Sequence, residues 1–382
     1  MRQWRTPRTR TGMAGRAGEL RMCCAMSNQV TKTPIRGKAL CIFPNGNLLC
    51  YRGGVFTLYE TESYAVLHRF SLPNGKLRNT LSKVRILERL LHCEARWAVP
   101  LNDAEALISM NTGIYRVNCT TGAYASEDVP VQGRPLNAAA LQGIAGFDDS
   151  IVIGDYTLNP ERKPVSLYQR NAGGTWRCAY TFPAGTVRHI HGVFADREAQ
   201  KVYILTGDED SESGIWLAED NFKTVKPLLV GSQQYRTCQM IASGGQVLYM
   251  TDAPSEKNAI YRFANGKTEK MADLPGTCIY GAVADGKGIF STTCEPDAHA
   301  KNRLDYWLSN KPGKGICGRT VDVFTLSADG KREDIVQFEH DGLPLRLFQY
   351  GTVTFTNVQD GKVYFSAHCV KAGAERVIKL NF

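Results

Sequence analysis

The chain has 382 residues, 43% hydrophobic and 22% charged, which is enough apolar material for a large core, and no run of 18 apolar residues that would span a membrane. Its 36 glycines and 16 prolines are scattered rather than gathered into a tract, excluding collagen-like and low-complexity architectures. The net charge is +9, but Arg2, Arg5, Arg8, Arg10, Arg16 and Arg21 against Glu19 leave only +4 for the rest, too mild a balance for a nucleic-acid-binding face.

In chain order, residues 1–28 read as a disordered or mis-started basic extension. No apolar stretch of the length a secretory signal needs follows the arginines, and Met13, Met22 and Met26 are alternative starts. Residues 29–382 read as one domain built on a repeat. An apolar residue followed by an aromatic or large apolar one recurs at Val55-Phe56, Ile114-Tyr115, Leu167-Tyr168, Ile215-Trp216, Ile260-Tyr261, Val323-Phe324 and Val377-Ile378, at intervals of 59, 53, 48, 45, 63 and 54 residues. Turn pairs such as Asn45-Gly46, Gly244-Gly245, Asn265-Gly266 and Asp360-Gly361 keep phase with these anchors. Each unit therefore reads as four short antiparallel strands, and the repeat predicts an all-β propeller of seven blades, with six as the alternative.

Between the first two units Leu77, Leu81, Val84, Leu87 and Leu91 have helical spacing and predict one short helix near 79–92, capped by Asn79 or Thr80. An insertion from Pro296 to Thr320 separates the second and third strands of the sixth unit; loops of that length often carry function. The seventh unit starts near Arg346 and reaches Phe382 after three strands. Its missing outer strand is expected from Gln29 to Ile35, closing the ring. The twelve cysteines lie mostly singly in strand-like runs without a C-x-x-C pair, which predicts buried free thiols, a cytoplasmic location and no cysteine zinc site.

In a propeller the starts of the first strands and the ends of the second strands share one rim. In the fourth blade these are Arg188-His189-Ile190-His191 and Gly207-Asp208-Glu209, with both histidines on one side by the two-residue period of a strand. Equivalent positions carry Arg96, Arg134, Arg236 and Arg346 on or before first strands, and Asp155, Asp252 and Glu295 at the ends of second strands. Guanidinium groups around a cavity suit a carboxylate-bearing sugar. The candidate reactive groups are His189, His191, Asp208, Glu209, Tyr280 and Glu295, and the candidate substrate-binding groups are Arg96, Arg188, Arg236, Arg346 and Asp252. No cofactor is required by this reading; the alternative is a divalent cation held by His189, His191 and Asp208, with His368 ending the second strand of the seventh blade. His68, His92, His299 and His340 read as surface or packing residues.

The segment Gln169–Trp176, QRNAGGTW, resembles the Asp-box turn of sialidase-like bacterial propellers at Gly173, Thr175 and Trp176, with Asn171 in the aspartate place. Ala218–Val225, AEDNFKTV, is similar at Asp220 and Thr224, and the stretch 98–300 looks like a branch of bacterial propellers associated with surface-polysaccharide genes. The resemblance implies a carbohydrate role. In sialidases three arginines, a tyrosine–glutamate pair and an aspartate act on the substrate, which would nominate Arg96, Arg188 and Arg236 for the first set. The resulting expectation is a sialidase-like propeller that binds or processes an anionic bacterial oligosaccharide or polysaccharide, as a glycoside hydrolase or polysaccharide lyase. The alternatives are a non-catalytic scaffold for a protein partner and a metal-assisted lyase.

Overall fold

A computed structural model describes residues 21–22, 29–284, 286–297 and 301–382. They form seven antiparallel sheets in a ring. Blade one is Lys38–Ile42, Leu48–Arg52, Val55–Tyr59 and Val66–Phe70. Blade four is His189–Asp196, Lys201–Gly207, Gly214–Glu219 and Thr224–Val230, and blade five is Thr237–Ser243, Gln246–Thr251, Asn258–Ala264 and Lys267–Leu274. The first strands of neighbouring blades touch one another and line the central channel.

Ring closure follows from where the apolar side chains go. Both faces of each blade are apolar near the axis, and a cluster of buried residues fills the space between each blade and the next. The junction of blades seven and one is filled as well, by Ile35, Ala39, Ile42, Leu48, Cys50, Tyr364 and Val377. Ile35 lies on Val30–Arg36, which pairs antiparallel with Arg376–Asn381, Val30 opposite Leu380 and Lys32 opposite Ile378. The expected clasp is therefore present, and it brings Thr33 and Ile35 inward while Thr31 and Lys32 face out. The expected N-terminal extension falls mostly outside the described residues; within it, Arg21–Met22 pairs with the outer strand of blade six, Arg332–Glu339.

The segment expected as one helix is two, Lys76–Leu81 and Arg85–Leu91. Val84 between them is extended, Gly75 rather than Asn79 or Thr80 begins the first, and no side chain caps either. The residues that the second helix buries are Glu88 and Arg89, not its leucines. Arg89 reaches Asp341 at 2.5 Å and the carbonyl of Phe348 at 2.7 Å, so an ion pair rather than an apolar stripe ties this segment to the connection between blades six and seven.

The insertion of blade six lies between Lys287–Thr292 and Thr320–Ser327 and carries a short helix, Arg303–Leu308. Gly313 and Gly315 let its backbone press against blade five, where a Cβ at Gly315 would overlap the Glu256 carbonyl. The Gly315 amide donates to Pro254 at 2.9 Å. The ten described cysteines are free, and all but Cys178 and Cys317 are buried. No described helix is long and apolar enough to cross a membrane.

Candidate functional site

The rim formed by strand-one starts and strand-two ends carries two adjacent features. The first is a cavity of about 470 Å³ over blades one, two, six and seven. Lys38 enters it from the first strand of blade one, Arg96 and Arg134 from the connections before blades two and three, and Arg346 from the connection before blade seven. Tyr280, Tyr350, Tyr306 and Trp307 supply aromatic surface, the last two from the inserted helix, and Glu94 is the acid among the lining residues. None of the four cations has a carboxylate within ion-pair distance among the described residues. They bond to backbone carbonyls instead: Lys38 to Ala95 at 2.9 Å, Arg96 to Arg134 at 2.5 Å, Arg134 to Glu94 at 3.2 Å and Arg346 to Asp297 at 2.6 Å.

That arrangement leaves like charges facing one another in a partly dry space. Burial, reinforced by Arg134 and Arg96 against the opposing pull of Glu94, lowers the Lys38 ammonium from 10.5 to about 8. Burial and the neighbouring Arg96 bring the Arg134 guanidinium down to about 10, and its Nε is buried without a hydrogen-bond partner. His368, also in the wall, is pushed well below its ordinary value by burial and then by Lys38 and the arginines of the second helix.

The second feature lies at the inner ends of blades four and five. His189 is paired with Gly207 across the first two strands of blade four, and the register slips between Ile190 and Gly192, so that His191 is the extra residue of a bulge. The same slip recurs at Leu40, Cys238 and Ile279 in blades one, five and six. Gly207 makes room for the His191 ring, which a Cβ there would strike. The two imidazole Nε2 atoms lie 3.1 Å apart, and Asp208 Oδ1 is 3.4 Å from His189 Nε2 and 3.3 Å from His191 Nε2. Both rings are buried, whereas the Asp208 side chain is 28% exposed.

Arg236 organises the acids around this pair. Its Nη2 is 3.0 Å from Asp208 Oδ1, its Nη1 donates to the Asp208 carbonyl at 3.0 Å, and its Nε is 3.6 Å from Asp252 Oδ2. Burial alone would raise the Asp208 carboxyl, but the adjacent imidazoles and Arg236 outweigh it and hold the group well below the usual carboxylate range. Burial instead dominates at Asp252 and Glu295 and raises both, despite Arg236. His191 is lowered, by burial first. Tyr156 joins the two features: its ring centroid is 4.5 Å from that of His189, and the Arg96 guanidinium sits 4.9 Å from it on the cavity side.

The structure thus divides the single pocket expected from sequence. His189, His191, Asp208, Arg236 and Asp252 form the buried cluster, while Arg96, Arg346 and Tyr280 line the cavity. Arg188 is a correction: its Nε is 3.2 Å from the buried Glu212 and its Nη2 is 3.7 Å from Glu209, so its charge is taken up within blade four. Glu209 is exposed and caps the turn Asp210–Glu212 rather than joining the histidines. Tyr280 does not pair with Glu295; the phenol that donates to Glu295 is Tyr350, at 3.3 Å. Asp155 accepts from the amides of Gln132 and Ser166 and fixes a loop. Lys38, His92 and Glu94 were not recognised in the sequence as lining groups, and His299 lies outside the described residues.

Gln169–Trp176 does form the turn between the third and fourth strands of blade three, Val165–Asn171 and Trp176–Phe182, with Thr175 N donating to Asn171 Oδ1 at 2.9 Å. Neither a protein-family model nor a curated protein matches the chain. Solved propellers do. The extracellular domain of a putative one-component system from B. thetaiotaomicron is 12% identical with a TM-score of 0.51, covering 93% of this chain and 40% of its own. A chain of the mitotic checkpoint complex is 8% identical with a TM-score of 0.52, covering 99% and 97%. The CNH domain of AfRom2 is 9% identical with a TM-score of 0.51, covering 91% and 95%. At these identities the likeness is one of fold.

Proposed function

We propose that the rim cavity binds an anionic oligosaccharide, with carboxylates of the sugar taken by Lys38, Arg96, Arg134 and Arg346 and its rings laid against Tyr306, Trp307 and Tyr350. The observation that carries this reading is the set of four cations converging on one cavity with no carboxylate within ion-pair distance among the described residues. A structural role would normally place an acid beside each, as Glu127 sits beside Arg170 at 2.9 Å. Here no carboxylate lies within ion-pair distance among the described residues, and planar guanidiniums match the two oxygens of a uronate or sialate carboxylate. His189, His191 and Asp208 are the adjacent groups for any hydrolysis or elimination of the bound sugar.

Calorimetric titration with uronic-acid oligosaccharides and with their carboxyl-reduced, neutral counterparts tests this directly. The acidic series is expected to bind and the neutral series to lose at least about tenfold, since one charge-assisted contact contributes roughly 1.5–3 kcal/mol. Equal affinity for both, or none for either, would reject the reading.

The pH dependence has a definite sign. Lys38 carries its charge below about 8, and a bound anion holds that proton in place. Affinity is therefore expected to be level below pH 8 and to fall as pH rises through it. The ligand-free fold behaves oppositely, gaining stability above pH 8 as the strained charge is released while the unfolded lysine stays protonated up to its ordinary 10.5. Titrations at pH 7 and pH 9, with melting curves at each, read both effects; affinity rising with pH would contradict the role given to Lys38.

A scaffold function is the second reading, favoured by the exposed Leu304, Trp307 and Leu308 of the inserted helix at the cavity mouth. A stoichiometric protein partner retained by an Arg96→Met, Arg134→Met double variant would support it over sugar binding.

A further inference from the structure

The hydrogen bonds behind the two histidines of blade four dictate what their front edges can do. His189 Nδ1 is 2.8 Å from the Thr157 carbonyl, and His191 Nδ1 is 3.0 Å from the Thr237 carbonyl. A carbonyl oxygen only accepts, so each Nδ1 carries a proton and Nε2 is the atom each ring leaves free for a second proton or a metal ion. Those two Nε2 atoms and Asp208 Oδ1 face one another at 3.1, 3.3 and 3.4 Å. Three such atoms held this closely need positive charge between them, supplied by a proton on Nε2 when no metal is bound and by a cation when one is.

We propose that His189, His191 and Asp208 bind one divalent first-row transition cation through His189 Nε2, His191 Nε2 and an Asp208 carboxylate oxygen. Two imidazoles and one carboxylate suit such ions, and backbone carbonyls behind ligating imidazoles are the usual means of fixing their tautomer. The spacing also fits. With metal–ligand bonds of about 2.1 Å, the edge between two ligand atoms is about 3.0 Å in an octahedron and about 3.4 Å in a tetrahedron, and the three measured separations fall within that range.

The surrounding charges point the same way. Asp208, Asp252 and Glu295 cluster around the single guanidinium of Arg236, and Asp252 Oδ1 and Glu295 Oε2 are buried without hydrogen-bond partners. Three carboxyl groups thus share one guanidinium, and a cation beside them offsets the cost of ionising them in this buried place. Arg236 shares Asp208 Oδ1, but a carboxylate oxygen has more than one lone-pair direction and Arg236 also anchors the Asp208 backbone. The proposal is independent of what fills the neighbouring cavity.

A competing ligand set exists one strand further on, where His191, Cys238 and Asp252 also come within reach of one another. There the Cys238 thiol already donates to Asp252 Oδ2 at 3.2 Å, so those two groups satisfy one another without an ion, whereas His189, His191 and Asp208 present three ligand atoms to one point. The experiment must separate the two sets. Tag-free full-length protein, stripped with chelator and dialysed, is titrated with Zn²⁺ and with Co²⁺, following heat and the visible Co²⁺ spectrum.

The expected result is one equivalent bound, with affinity lower by about 100-fold or more in Asp208→Asn and His191→Ala and little changed in Cys238→Ser. Melting curves without metal establish that each variant is folded. The near-isosteric Asp208→Asn, which retains the backbone contacts to Arg236, keeps the test valid should His191→Ala fail to fold. Absence of stoichiometric binding in the wild type would overturn the proposal. So would binding lost in Cys238→Ser but kept in Asp208→Asn, which would assign the ion to the other set.

Discussion

Ile35→Asp is expected to lower the melting temperature by about 5 °C or more, whereas Thr31→Asp on the same strand leaves it within about a degree. Ile35 is 4% exposed and helps fill the junction between blades seven and one; Thr31 faces solvent. A carboxylate in place of the isoleucine loses apolar burial and gains an unpaired buried charge, together on the order of 3–5 kcal/mol. The effect reaches beyond its own contacts because Val30–Arg36 is the strand that completes blade seven. Without it Arg376–Asn381 becomes an open edge, so the variant is also expected to aggregate on heating. Scanning calorimetry of the pair checks this. Equal melting temperatures would mean that the ring does not depend on its clasp.

Arg134→Met has the opposite signature: ligand binding is expected to fall about 10- to 100-fold while the melting temperature stays level or rises. The guanidinium is buried beside Arg96, bonds to the protein through one carbonyl, and keeps a buried Nε without a partner. Removing it relieves repulsion in the free protein and removes a carboxylate contact in the complex, the trade expected of a binding group held against the interest of stability. Acidic-oligosaccharide titration alongside thermal melts reads both halves. A destabilised variant with unchanged affinity would make Arg134 a structural residue.

The parts of this protein legible in its sequence are those written locally. Blade number, the interrupted sixth blade and the strand borrowed by the seventh follow from turn pairs and apolar anchors a few residues apart. The opposition of His189 and Gly207 follows from one hairpin. Asp208 could be placed near both histidines for the same reason. The electropositive cavity was only partly visible, because Lys38, Arg96, Arg134 and Arg346 come from four separate segments and meet only once the ring is closed. Arg188 looked equivalent to Arg236 by position. Their fates differ because the turn Asp210–Glu212 places Glu212 under Arg188, whereas Arg236 finds Asp208 and Asp252. Leucine spacing made the helical segment legible but not its anchors, the buried Glu88 and Arg89, because Arg89 pairs with Asp341 far along the chain.

A crystal structure with a bound uronic-acid oligosaccharide decides whether the rim cavity is the sugar site. At least one sugar carboxylate is expected within about 3 Å of the Arg96 or Arg134 guanidinium, with a pyranose ring against Trp307 or Tyr350. A sugar seated on the outer blade edges or at the opposite rim, with those guanidiniums untouched, would contradict it.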